Sequence, residues 1–159
     1  MIKFAAHDIT FQEVPDEVSL TFSISNCTGS CPGCHSPMLH EDIGCDLEEI
    51  LPILLDTYGS SVTCVCFMGE GNDPEALVRC MQAVQSRGLK ICLYSGRDLI
   101  QDIPMIETIL PLVDYLKIGS YRQDLGGLSS PATNQQFYAF DQKHRSYKDI
   151  VYRFWKTKE

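Results

Sequence analysis

The chain has 159 residues, 44% hydrophobic and 21% charged, a composition that suits one folded domain spanning residues 1–159 and not a disordered protein. A formal net charge of −8 excludes a general nucleic-acid binder, which needs clustered Lys and Arg, and no apolar run approaches the ~18 residues of a membrane span. With eight Cys and no visible signal-peptide core, the expected setting is a reducing cytoplasm, where thiols stay unpaired.

Residues 2–14 mix Phe4, Ile9, Phe11 and Val14 with polar neighbours and read as an extended lead-in or hairpin ahead of Pro15. Residues 18–24 alternate apolar side chains with Ser and Thr, the pattern of a first core strand. Asp46, with Glu49 three positions on, resembles a capping box and opens a helix to about Tyr58, which Pro52 should kink or delay and Gly59 should end. Residues 62–68 form a short apolar run, as in a parallel strand buried on both faces. Asp73 and Pro74 then supply a cap and a first helical residue for a helix that Gly88 stops, with Leu77, Cys80 or Met81, and Val84 on one face.

Residues 89–94 read as the next strand, residues 99–110 as a helix broken near Pro104, and residues 113–118 as a further strand. This alternation predicts an α/β fold with four core strands in a mainly parallel sheet. A closed (β/α) barrel needs eight strands and about 250 residues, so the expectation is a partial, open barrel with one flank free. A loop rich in Gly and Ser follows Gly119, and residues 136–140 and 150–155 are expected to pair as a C-terminal hairpin extension. Residues 141–159 carry a charge of +3 against −11 for the rest, so the tail is either a partner contact or a solvated end.

The densest chemistry lies between Ser25 and His35, where Cys27, Cys31 and Cys34 fall within eight residues among Gly, Ser and Pro. Thiolates so spaced on a turn-rich loop can converge on one metal centre. No second pair of Cys follows at zinc-finger spacing, so three thiols would hold an iron-sulfur cluster with one iron open, the alternatives being structural zinc or unligated thiols. Cys64, Cys66, Cys80 and Cys92 fall on predicted strands or an apolar helix face and are expected to be buried as small hydrophobes. The turn Gly69-Glu70-Gly71-Asn72-Asp73-Pro74 joins a strand to a helix, and its glycines would let backbone approach a ligand carrying an ammonium and a carboxylate.

The spacing Cys-x3-Cys-x2-Cys resembles the cluster motif of the radical S-adenosylmethionine enzymes. Cys-Pro-Gly-Cys inside it, the acidic Gly-rich turn, Tyr94-Ser95-Gly96 and Asn134-Gln135 resemble, more narrowly, the small activating proteins of anaerobic ribonucleotide reductase. The resemblance implies a 4Fe-4S cluster on Cys27, Cys31 and Cys34, and S-adenosyl-L-methionine chelating the open iron. Gly33, His35, Gly69, Glu70 and Gly71 would position that cofactor. It also implies a flavodoxin-like electron donor and, as protein substrate, the anaerobic ribonucleotide reductase, on which a glycyl radical is left. This chain has Gly33 where the superfamily often has an aromatic, His35 after the third Cys, and Gln136 where an Arg often follows the Asn-Gln pair. Either Glu70 or Asp73 is the acid of the turn. Two rivals remain: an activase of another glycyl-radical protein or peptide, and a non-catalytic metal-binding interaction module.

Overall fold

The structure is a computed structural model that describes residues 1–28 and 37–155. Its frame is an eight-stranded sheet of order β3-β1-β2-β4-β5-β6-β7-β8. The strands are β1 (Lys3–Thr10), β2 (Ser19–Ile24), β3 (Cys45–Asp46), β4 (Cys64–Met68), β5 (Lys90–Tyr94), β6 (Tyr115–Ile118), β7 (Gln136–Asp141) and β8 (Ser146–Asp149). β2, β4, β5 and β6 are the four expected core strands and run parallel. The four remaining pairings are antiparallel, so the sheet is mixed rather than mainly parallel. It is open, with β3 and β8 as its edges.

Parity along the core strands explains the layering. Leu20, Phe22 and Ile24 of β2, Val65 and Phe67 of β4, Ile91 and Leu93 of β5, and Leu116 and Ile118 of β6 belong to one cluster with the two long helices. These are α1 (Leu47–Tyr58) and α2 (Pro74–Ser86), which contribute Leu47, Leu51, Leu55, Leu77, Met81 and Val84. Asp46 caps α1 by accepting from the Glu48 N–H at 3.0 Å, and Asp73 caps α2 by accepting from the Ala76 N–H at 3.1 Å. α1 runs through Pro52 without interruption, because a proline removes one hydrogen bond while the buried leucine stripe still packs.

The opposite face is lined by the alternate residues. In-register rows place Ser19 beside Cys64, Thr21 beside Cys66 and Cys92, and Met68 beside Tyr94. Cys64, Cys66 and Cys92 are wholly buried there with Val14, Phe137 and Ile150, and Phe154 packs onto Phe137 at 4.9 Å between ring centres. The open flank expected from strand number is therefore a pair of free sheet edges, while much of this face is covered by the chain itself.

The helix expected over residues 99–110 and broken near Pro104 takes the form of a 3-10 turn at Ile100–Asp102 followed by α3 (Ile106–Ile109), since Pro104 keeps Ile103 extended and Met105 takes a left-handed φ of 57°. One further expectation needs correction. The terminal hairpin pairs β7 with residues 146–149 instead of 150–155. Arg145 at φ 52° and Asp141, which accepts from the His144 N–H at 3.2 Å, make the turn tight. Val151–Phe154 then forms a 3-10 turn that carries Phe154 onto Phe137. Among the described residues no helix is long and apolar enough to cross a membrane.

Candidate functional site

The C-terminal ends of parallel strands face the same sheet edge, and here they bring together motifs far apart in sequence. Cys27 follows β2, Gly69, Glu70 and Gly71 follow β4, and Gly96 and Arg97 follow β5; with Thr28 they line one cleft of about 120 Å3. That is room for several waters or a small polar group, well below the ~300 Å3 at which whole-ligand pockets begin. Cys31, Gly33, Cys34 and His35 lie outside the described residues.

Cys27 is exposed and unpaired at the mouth of a loop whose two ends are pinned together. Its N–H donates to the Leu39 carbonyl at 2.8 Å, and the Asn26 N–H donates to that of Glu41 at 3.2 Å. The buried Ser25 hydroxyl reaches the Ile43 carbonyl at 2.6 Å, and His40 Nδ1 sits 3.1 Å from the Cys27 carbonyl oxygen. This partner is a backbone atom 13 residues away, a contact that no local sequence pattern announces.

The turn after β4 answers which acid faces the cleft. Asp73 is engaged as the α2 cap, whereas Glu70 lines the cleft and accepts hydrogen bonds from Ser95 Oγ and from Arg97 Nε, the latter at 2.9 Å. Gly69 and Gly71 adopt φ of 121° and 69°, a region that glycine enters without penalty. A Cβ on Gly71 would also stand 3.0 Å from Ile24 Cγ2.

Arg97, which sequence reading passed over, is the one cation of this cleft among the described residues. Only its Nε is taken by Glu70, so the two terminal nitrogens have no ion-pair or hydrogen-bond partner among the described residues. Its N–H donates to Ser95 Oγ at 3.1 Å, and Ser95 is wholly buried. Lys117 ties the neighbouring ends together, donating to the Gly119 carbonyl at 2.7 Å and that of Ser95 at 3.2 Å. Asn134 Nδ2 donates to the Ser120 carbonyl at 3.0 Å, so Asn134-Gln135 buttresses this edge without lining the cleft. A guanidinium beside backbone at positive φ can hold the carboxylate and ammonium of an α-amino acid.

Three other thiols, those of Cys64, Cys80 and Cys92, are buried and unsuited to ligation. Burial pushes the Cys80 thiol up to about 12 and raises those of Cys64 and Cys92 far above the ordinary range, so all three stay protonated. Among the described residues no three His, Cys, Asp or Glu side chains converge on a possible metal position. Cys27 fits a cluster ligand: it is a free, exposed thiol on a pinned loop at the cleft, and it is the described member of a three-thiol set. Comparison of the chain with protein-family models, curated proteins and solved structures returns no match.

Proposed function

We propose that the chain is a radical S-adenosylmethionine activase that leaves a glycyl radical on an anaerobic ribonucleotide reductase. The observation that carries this reading is the meeting, in one cleft, of the first thiol of the Cys-x3-Cys-x2-Cys loop with the 69–71 turn and Arg97. Cys27, Cys31 and Cys34 would hold a 4Fe-4S cluster, and the turn with Arg97 would hold the methionyl end of S-adenosyl-L-methionine. When bound, these groups supply one-electron chemistry able to remove a hydrogen atom from a glycine Cα, the electron coming from a flavodoxin-like donor.

The chain's own residues do the positioning. Gly69 and Gly71 keep side-chain atoms off the cleft floor, so a ligand can approach the backbone. Glu70 and Ser95 hold Arg97 against that floor, and its terminal nitrogens, unpartnered among the described residues, would take a carboxylate. The bonds at Asn26 and Cys27 fix where the thiol loop leaves the sheet.

Anaerobic reconstitution with iron and sulfide, followed by paramagnetic resonance with reductant and S-adenosylmethionine, tests the reading. A brown protein is expected, with a glycyl-radical signal only when the reductase is added. A colourless zinc protein would sink it. An iron-sulfur protein that cleaves S-adenosylmethionine but leaves the reductase diamagnetic would keep the chemistry and reject this partner.

A further inference from the structure

The described Lys and Arg side chains fall into two groups. Seven pair with carboxylates and Lys117 holds two carbonyls. Lys143, Arg145 and Lys148 make no ion pair among the described residues, and all three lie on the β7–β8 hairpin. The acids beside them are already engaged. Asp141 lies 2.7 Å from His144 Nδ1, and Asp149 accepts from the Phe137 and Val151 N–H groups at 3.2 and 3.0 Å. In a chain whose first 140 residues carry −11, the unspent positive charge of the described residues is thus gathered at one place.

That place is also a free strand edge. β8 ends the sheet, and all four of its residues are exposed. The Ile150 N–H donates to the Phe137 carbonyl, and antiparallel pairing alternates, so Tyr147 and Asp149 turn their backbone N–H and C=O groups away from β7. Tyr147, 60% exposed, stands 5.3 Å from the Tyr138 ring and 5.4 Å from that of Phe140. A shallow groove of about 330 Å3 runs along Phe140, Tyr147 and Lys148.

We infer that the β8 edge is a docking strand for an extended, acidic segment of a partner protein. The outward backbone groups of Tyr147 and Asp149 complete a ladder that a peptide can offer and a nucleic acid cannot. Lysine on an edge strand discourages pairing with an uncharged strand. Facing an acidic one, the same side chain becomes a partner, and Lys143 and Arg145 extend the match past the strand end. Tyr147 and Phe140 give alternate apolar residues of the incoming strand a surface to cover. The inference does not depend on the cluster or on any radical chemistry.

The test uses the full chain and a capped peptide of roughly seven residues alternating valine and aspartate, a usual strand length. Hydrogen exchange read by NMR should show new protection at the Tyr147 and Asp149 amides, and the valine–lysine counterpart should not bind. The triple reversal Lys143→Glu, Arg145→Glu, Lys148→Glu places acids at exposed sites, and its thermal midpoint checks folding. It should weaken the aspartate peptide by at least about tenfold, or ~1.4 kcal/mol. Unchanged exchange at the two amides, or equal binding of the lysine peptide, overturns the inference. So does equal protection by a short single-stranded oligodeoxynucleotide, which would make this a phosphate site. Self-association in sedimentation that the triple reversal abolishes would make a second copy the occupant and overturn it too.

Discussion

At the residue scale the described cysteines divide by environment. Cys27 is exposed at the cleft, while Cys64 and Cys92 are sealed on the inner face with their thiols held protonated by burial. Cys27→Ala, Cys31→Ala and Cys34→Ala are each expected to lose bound iron and sulfide after anaerobic reconstitution, together with S-adenosylmethionine cleavage. Cys64→Ala and Cys92→Ala should keep both and cost about 1 kcal/mol in denaturant unfolding, the scale of removing one buried heavy atom. Full metal content in any of the first three variants rejects the ligand set.

Asp114 gives a test in pH. Burial raises its carboxyl above the ordinary value, opposed by the Ile91 N–H that it accepts at 3.0 Å and by Lys90. A carboxyl raised in the folded state binds its proton more tightly there than in the unfolded chain. Its favourable contribution is therefore complete below the unfolded value near 3.8 and is lost as pH rises through the folded value. Asp114→Asn keeps a carbonyl acceptor for Ile91 and cannot ionise. Relative to the parent it should gain stability on going from pH 3 to pH 7, and urea midpoints across that range that stay parallel would show the carboxylate is not penalised.

At the element scale, the ends of β4 and β5 decide what the cleft can hold. The turn after β4 turns back at Gly69, where φ is 121° and an added Cβ would rest in ordinary contact, 3.4 Å from Ile24 Cβ. The obstacle to a side chain there is thus backbone strain more than lack of space. Gly69→Ala is expected to cost about 1–3 kcal/mol in urea unfolding. Gly69→Val should, in addition, strongly weaken S-adenosylmethionine binding in calorimetry while iron content stays normal. A stability loss with undiminished affinity would move the ligand away from this turn.

At the scale of the whole molecule, one sheet serves two packing layers. The α1 and α2 cluster lies on one face, and the cysteine-rich cluster closed by Val14, Phe137 and Ile150 lies on the other. Phe67 and Cys66 are neighbours on β4, yet each belongs to a different layer, so neither layer can be lost without exposing the other's strand. Thermal unfolding followed by far-ultraviolet dichroism and by the fluorescence of Trp155 should therefore show a single shared midpoint. Two separated midpoints would mean that the C-terminal strands melt on their own.

The sequence by itself determined the local features. Residues 18–24, 62–68, 89–94 and 113–118 read as strands because their side-chain pattern is written residue by residue, and the four core strands lie there. Asp46 and Asp73 read as caps because an acceptor two or three residues ahead of a free N–H is a local relation. The three-thiol spacing is likewise plain in the chain, and it carries the proposed chemistry.

The tertiary structure alone decided the rest, since it depends on contacts across long stretches of chain. Glu70 meets Arg97 from 27 residues away, and the two were assigned to one cleft by the parallel pairing of β4 with β5. The antiparallel placement of β1, β7 and β8 turned a mainly parallel expectation into a mixed sheet, because edge pairing is set by which strands remain free once the core is packed. The shift of the last strand from residues 150–155 to Ser146–Asp149 has the same origin. Phe154 reaches Phe137 from a 3-10 turn, and that contact is invisible until the inner face of the sheet exists to be covered.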